Sequence, residues 1–490
     1  MQIPRALHVA CALLLVSPLI SARPALAANY PLELTNIREG LSARSRITRA
    51  YPGLEYNIRA AVVGGAYPFT FSLANAPAGM TINARTGEIT WPDPRANATP
   101  TIVVVDAEGT RVSATWTIQV GGAGFRFIDA VNGRNAEGNG CTSDCGAGTA
   151  ERPWRTMSDM YRSRAAGELV YFKNGTYGVT DLPRTSVGSP WERVEFVEGR
   201  HPVVWMAYPG QTPVIDFAAG PGAEVRPIIR LRGDNVYVDG FETRSSHLIA
   251  FQFVSGPGNG PTFRRLRMHT HGPGVDGANA AFIMTTTSPQ PSDGMVIQDC
   301  EFSNVTGESV TLKIYAQRKL LIENTTHFNA TVAIELKDDV RQFSVRGNTL
   351  HDIERTGIGG NMHKPTTHGE IVFNNVRAGL ALDLNQNGLA GPIHVYRNTF
   401  VGRVQVRNTD SSDGPFYLSH NVIVSRDGGS RVHHYEVTDR SRIILSDNLT
   451  ESPSRKVVDA GGNLTAAYSR YLGTHGHQLA AAPPSTRPRQ

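Results

Sequence analysis

The sequence predicts an all-β chain in which a small β-sandwich is followed by a right-handed parallel β-helix. Three observations carry that prediction. Gly (49) and Pro (30) are frequent and long runs of helix formers are scarce, which favours strands and turns. Residues 29–120 hold short alternating apolar runs broken by turn residues. Beyond "GGAG" at 121–124, an apolar-x-apolar-x-Asn segment recurs at near-regular spacing.

The first 27 residues, "MQIPRALHVACALLLVSPLISARPALA", combine a basic start, an apolar run and a small-residue ending. They have the form of a cleaved secretory signal, so the mature protein is expected to be secreted or periplasmic. The apolar run is too short to span a bilayer and no later stretch is apolar enough, so no integral membrane segment is expected. The formal charge of +5 falls to +3 when Arg5 and Arg23 leave with the signal. That balance is too mild to indicate nucleic acid, and a local basic face on such a chain suits an acidic partner better.

Residues 29–120 form the first unit. "GGAYPFTFSLANAPAGMTINARTGEITWPDP" and "TPTIVVVDAEGTRVSATWTIQV" read as sandwich strands and turns. "PAGMTINARTGEITW" with "VVVDAEGT" resembles the immunoglobulin-like, cadherin-related modules attached to many secreted bacterial enzymes. Such modules space, stabilise or bind, and no catalytic cluster is visible here.

The second unit is expected over 125–470, with a disordered tail at 471–490. Its opening, "FRFIDAVNGRNAEGNGCTSDCGAGTAERPWRTMSDMY", resembles the entry segment of β-helix polysaccharide enzymes, in which a strand and a Gly-rich loop lead to a capping helix. Cys141 and Cys145 are close enough to staple that loop by a disulfide in an oxidising compartment. A metal pair is the alternative, but no second Cys or His pair has matching spacing. Cys300, flanked by alternating apolar residues, is expected to be a buried free thiol.

The repeat ends at Asn324, Asn348, Asn375, Asn398, Asn421 and Asn448, with gaps of 24, 27, 23, 23 and 27 residues. Each unit is too small to bury its own apolar face, so the units must stack into one core. Asn suits a tight left-handed corner, and its amide can bond to the next Asn in a ladder.

Strand period then separates inward from outward residues. In "VTLKIY", Val310, Leu312 and Ile314 are expected inward, leaving Thr311 and Lys313 outward. In "VAIELKDD", Val332, Ile334 and Leu336 are expected inward, leaving Glu335 and Lys337 outward. Counted from the asparagines, Lys313 and Lys337 are placed on equivalent positions of adjacent rungs, continued by His363, Asp383 and Arg407. A second outward column is Thr311, Glu335, Asn361, Ala381 and Gln405. Tyr315, and Lys364 beside Gly359-Gly360, are further candidates to line a sugar subsite. Two ammonium groups about 4.8 Å apart repel by roughly 3 kcal/mol at an effective dielectric of 20. That repulsion lowers a lysine pKa by about two units unless neighbouring carboxylates offset it.

"ESVTLK" followed by "IELKDD" resembles the β-helix alginate lyases and chondroitinase B, polysaccharide lyase family six. The resemblance implies that Lys313 abstracts the proton beside a uronate carboxylate and that Lys337, where the family has arginine, assists the leaving sugar. It also implies that Glu308 helps to hold a Ca²⁺, although the companion acidic position falls near Thr306. An acidic, uronate-containing polysaccharide is then the expected substrate, cleaved by β-elimination by a monomeric enzyme. His363 joins the catalytic candidates; Arg407, Asp383, Glu335, Tyr315 and Lys364 join the substrate-binding ones. A β-helix hydrolase is the alternative, and needs two opposed carboxylates such as Asp383 with Glu335, or Asp338 with Asp339. A β-helix epimerase belongs to the same alternative, weakened by the absence of the Asp-Pro-His motif of the β-helix alginate epimerases. A non-catalytic glycan-binding or surface protein is the third reading.

Overall fold

Alternating runs in the first unit close into antiparallel pairs because each has one apolar face to bury. A computed structural model describes residues 31–163, 168–185, 187, 192–218, 226–272, 281–305, 307, 309–361, 368–385, 392–409, 415–424, 433–437, 441, 443–446, 448–452 and 455–459. Thr70–Ala74, Thr101–Val105 and Arg111–Thr115 make one sheet, with Val104 opposite both Phe71 and Val112. Tyr56–Arg59, Glu88–Trp91 and Thr81–Ile82 make another. Ile58, Ile89, Phe71, Ile102 and Val104 meet around Tyr56 and Trp116 in one core, which gives an immunoglobulin-like sandwich.

From Phe125 onward the pairing turns parallel, and partners lie one coil apart. Leu321–Glu323 pairs with Phe343–Arg346, then Gly369–Val372, Ile393–Tyr396 and Phe416–Ser419. These belong to a twelve-stranded sheet that begins at Phe125–Ile128. The chain passes from it into an eighteen-stranded sheet and back, as a right-handed parallel β-helix. One apolar interior runs from Ile128 to Ile423. The helix Met157–Arg162 closes the first coil, with Thr156 and Asp159 forming a capping box and Met157 and Met160 buried in that interior. Cys141 and Cys145 are disulfide-bonded, and Cys300 is a buried free thiol.

The asparagine ladder exists, but not on every residue expected. Asn348, Asn374, Asn398, Asn421 and Asn448 are fully buried. Each of the first four donates Nδ2–H to the next residue's Oδ1 at 2.8–3.0 Å. Each Nδ2 also reaches a carbonyl oxygen of the coil before. Asn374 replaces the expected Asn375, and Thr325 stands where Asn324 was expected, its hydroxyl donating to Asn348 Oδ1 (2.7 Å). The left-handed corner lies one residue earlier, at Asn324, Gly347, Phe373, Arg397 and His420, with φ between 54° and 64°. A ladder residue opens the next strand, where its amide stacks along the helix axis, so the sharp turn must precede it.

The sandwich lies along the twelve-stranded sheet. Tyr51 packs edge-on against Phe125 and Phe127 at the first strand, and Tyr67 packs against Phe373 after the ninth. Between them Arg59 pairs with Asp299 and with Glu323 (3.0 Å). Arg264 reaches Glu88 (3.1 Å) and Asn57, and Lys319 reaches Glu33 (2.6 Å). Arg346 pairs with Glu323 (2.7 Å) beneath the Phe69 ring. Arg264 and Arg346 are each 1% exposed; Arg264 pairs across the contact with Glu88, whereas Arg346 pairs within the β-helix and meets the module through the Tyr67 and Phe69 rings.

Candidate active site on the outer face of the long sheet

The strands Val310–Ile314, Thr326–Leu336, Thr349–Asn361, Asn375–Asn385 and Thr399–Thr409 carry the predicted site. Leu312, Ile334, Ile358, Leu382 and Val404 all enter the interior cluster, so the residues after them point outward. The observed outward column is therefore Lys313, Glu335, Gly359, Asp383 and Gln405, each opposite the next.

This corrects the expected register. Lys337 is not the counterpart of Lys313; Glu335 is. Two one-residue displacements produce the difference. The ladder equivalent of Asn348 is Thr325, not Asn324, and the corner from Leu336 to Ser344 is one residue longer than that from Ile314 to Leu321. Together they shift the register by two, which preserves side-chain parity. Lys337 still points outward, and it meets the same carboxylate. Gln405, not Arg407, follows Asp383; Arg407 stands opposite Asn385, and its side chain lies outside the described part. Glu335 and Gln405 move from the second column into the first.

Thr311 also departs from expectation. It is fully buried, and its hydroxyl donates to the Ala333 carbonyl (2.7 Å) and meets His327 Nδ1 (2.6 Å). The register is unbroken across this position, and Thr311 and Leu312 both turn inward, as Ala333 and Ile334 do one coil on. His327 is an interior residue, stacked on Phe302, with its pKa lowered to about 3 by burial. His363, Lys364 and Glu308 lie outside the described residues.

The geometry at the column's centre is a carboxylate between two ammonium groups. Glu335 Oε2 is 3.5 Å from Lys313 Nζ and Oε1 is 3.2 Å from Lys337 Nζ. Lys313 is the most withdrawn of the three, with 6% of its side chain exposed. Burial lowers its pKa, Glu335 opposes that shift and Lys337 adds to it. Tyr315, two residues on, is half-buried and its pKa is raised by burial and by the charges of Glu335 and Asp338. Asp383 accepts a hydrogen bond from Gln405 Nε2 (2.8 Å).

Gly359 separates Glu335 from Asp383 in the column. A Cβ there would stand 2.4 Å from the Asp383 carbonyl oxygen, and one on Gly360 would stand 1.9 Å from that of Leu336. The pair belongs to a strand rather than the expected turn, and leaves a side-chain gap between two carboxylates. Sequence reasoning placed Gln405 in the outward face but not beside Asp383, and it missed this gap; two adjacent glycines inside a strand were the available signal. No three His, Cys, Asp or Glu side chains come together as a metal set among the described residues. Glu335 is shared by two lysines, and Glu308, through which the resemblance implies calcium, lies outside the described residues. Asp338 and Asp339 form a corner, Asp339 being left-handed and paired with Arg341.

No helix among the described residues is long and apolar enough to cross a membrane. Among solved structures, the chain is similar to a rhamnogalacturonan lyase at 15% identity, over 72% of this chain and 99% of that one, with a TM-score of 0.38. It is also similar to the family 28 exopolygalacturonase of Yersinia enterocolitica at 10% identity, over 86% and 98%, with a TM-score of 0.36. Neither likeness is strong enough to bear on chemistry. No curated protein matches the chain. Residues 42–121 match the family described as "Putative Ig domain", and the first unit is an immunoglobulin-like module.

Proposed function

We propose that the chain is an exported carbohydrate-active enzyme that cleaves an acidic, uronate-containing polysaccharide by β-elimination. The observation that carries this reading is the Lys313–Glu335–Lys337 cluster, in which a withdrawn lysine of lowered pKa shares one carboxylate with a second ammonium group. Elimination needs a base for the weakly acidic C5 proton, positive charge beside the uronate carboxylate and a proton for the departing oxygen. Lys313, in its neutral form, takes the C5 proton. Lys337 pairs with the substrate carboxylate as charge develops on it. The electrons of the C5–H bond form the C4–C5 double bond, the C4–O bond breaks, and the Tyr315 phenol supplies the proton to the leaving oxygen. Burial keeps that phenol protonated.

The test is ultraviolet absorbance of the conjugated product on alginate, pectate, chondroitin and bacterial capsule polymers. Lys313→Ala is expected to lower kcat by about a hundredfold or more, the ordinary contribution of a positioned base. Undiminished elimination by that variant overturns the assignment.

A second reading rests on the Gly359 gap. Glu335 and Asp383 are two rungs apart, about 9.6 Å at the usual strand spacing of about 4.8 Å. That is close to the separation at which an acid and a base flank a water in inverting hydrolysis. New reducing ends without conjugated product, lost in Asp383→Asn, would select this reading over elimination.

A further inference from the structure

A cleft of about 720 Å³ lies where the immunoglobulin-like module meets the first coils, on the twelve-stranded sheet rather than on the sheet that carries Lys313. Its volume falls in the range of small-molecule sites, about 300–1,000 Å³. Both units contribute to its wall: Glu55 from the module, and Tyr171, Tyr208, Gln211, Asp239 and Arg265 from the β-helix.

Tyr171 makes this cleft more than a crevice. It is 2% exposed, its ring stacks on Phe125 and Phe127 of the preceding strand, and its hydroxyl lies beneath the cleft floor, near Tyr208, Asp239 and Glu55, without a hydrogen-bond partner. A buried hydroxyl left unpaired costs free energy, which a ligand oxygen would recover. The Tyr208 ring stands edge-on to it at 6.1 Å and is itself partly open. One open tyrosine ring, Tyr208, above an unpaired hydroxyl and among carboxylate, amide and guanidinium groups, matches a ligand that is apolar on its ring faces and hydroxylated around its rim. The charges argue against an anion. Asp239 pairs with Arg265 at 2.6 Å, and Glu55 and Glu88 outnumber the remaining lining cation, Arg46, so the wall is negative on balance.

We propose that this interdomain cleft is a binding site for a neutral mono- or disaccharide unit, formed only when the module and the β-helix are docked. It is independent of the elimination chemistry, and it takes a different ligand class from the lysine cluster. The Tyr171 hydroxyl hydrogen-bonds the sugar and the Tyr208 ring packs on it.

The experiment uses the full chain with glucose, galactose, mannose, rhamnose, maltose, cellobiose and lactose, read by saturation-transfer NMR and titration calorimetry. At least one neutral sugar is expected to bind, and galacturonate more weakly. Tyr171→Phe is expected to weaken that sugar about fivefold, the value of one hydrogen bond, without lowering Tm. Tyr208→Ala is expected to weaken it further, and Lys313→Ala to leave it unchanged. The proposal is overturned if no neutral sugar binds, or if Tyr171→Phe binds as tightly as the native protein. A fall in Tm for Tyr171→Phe also overturns it, because the hydroxyl would then have a structural role.

Discussion

Lys313 is held between opposing influences, and their balance sets the pH at which it becomes a base. Burial and the Lys337 charge push its pKa down, while Glu335 pushes it up. A lysine base works only when neutral, so activity rises as pH rises through its pKa. Glu335→Gln removes the charge that opposes this lowering. The acid limb of the kcat/KM profile is then expected to move to lower pH, with activity retained at a reduced plateau. In the hydrolytic reading Glu335 itself handles a proton, and the same variant loses activity at every pH. A profile across the acid limb therefore separates the two chemistries with a single substitution. The carboxylate also explains how two ammonium groups persist side by side on a half-buried face: each is neutralised by the same group, at 3.5 and 3.2 Å.

At the scale of the element, the coil depends on its corners. Asn398 is fully buried, donates to Ile371 and Asn421, and accepts from both the backbone and side chain of Asn374. Asn398→Ala leaves several of these groups unpaired. At about 1–3 kcal/mol per orphaned group the expected loss is about 3 kcal/mol, measured by denaturant unfolding. Asn375→Ala, one residue outside the ladder, is expected to cost under about 1 kcal/mol, as substitutions away from such networks do. The contrast marks what the sequence could and could not show. Repeat, strand parity and inward residues were legible because an apolar interior enforces period two. Absolute register was not, because Asn324-Thr325 and Asn374-Asn375 each offer two candidates for one ladder position. Corner length adds a further residue that no local pattern reports. Lys337 kept its outward direction through a two-residue error, whereas Thr311 lost its own where two consecutive residues face the interior. The Glu335–Asp383 relation across Gly359 emerges only once the register is fixed.

At the scale of the molecule, the two units are bound by charges that neither can satisfy alone. Arg59 enters from the module between Asp299 and Glu323 and is 7% exposed on the side chain. Arg59→Ala leaves Glu323 to Arg346 alone and takes the nearest cation from Asp299, a loss expected to cost about 3 kcal/mol. Calorimetry should show one cooperative transition for the native chain, and either a lower transition or two separate ones for the variant. An unchanged single transition would mean that the contact does not couple the units.

The docked module also acts as a ruler. It touches the solenoid from Phe125 at the first strand to Phe373 after the ninth, with fixed partners in between. A free solenoid can gain or lose a whole coil without disturbing its neighbours, since each coil contacts only the next. Here a coil inserted between Phe125 and Phe373 would move Asp299, Glu323 or Phe373 out of reach of the residues that hold them. Length is therefore frozen over that span. The coils after Phe373 keep their freedom to be duplicated or trimmed, and Asp383 and Gln405 stand on them, in the part of the chain where a change of substrate can be reached by adding a coil.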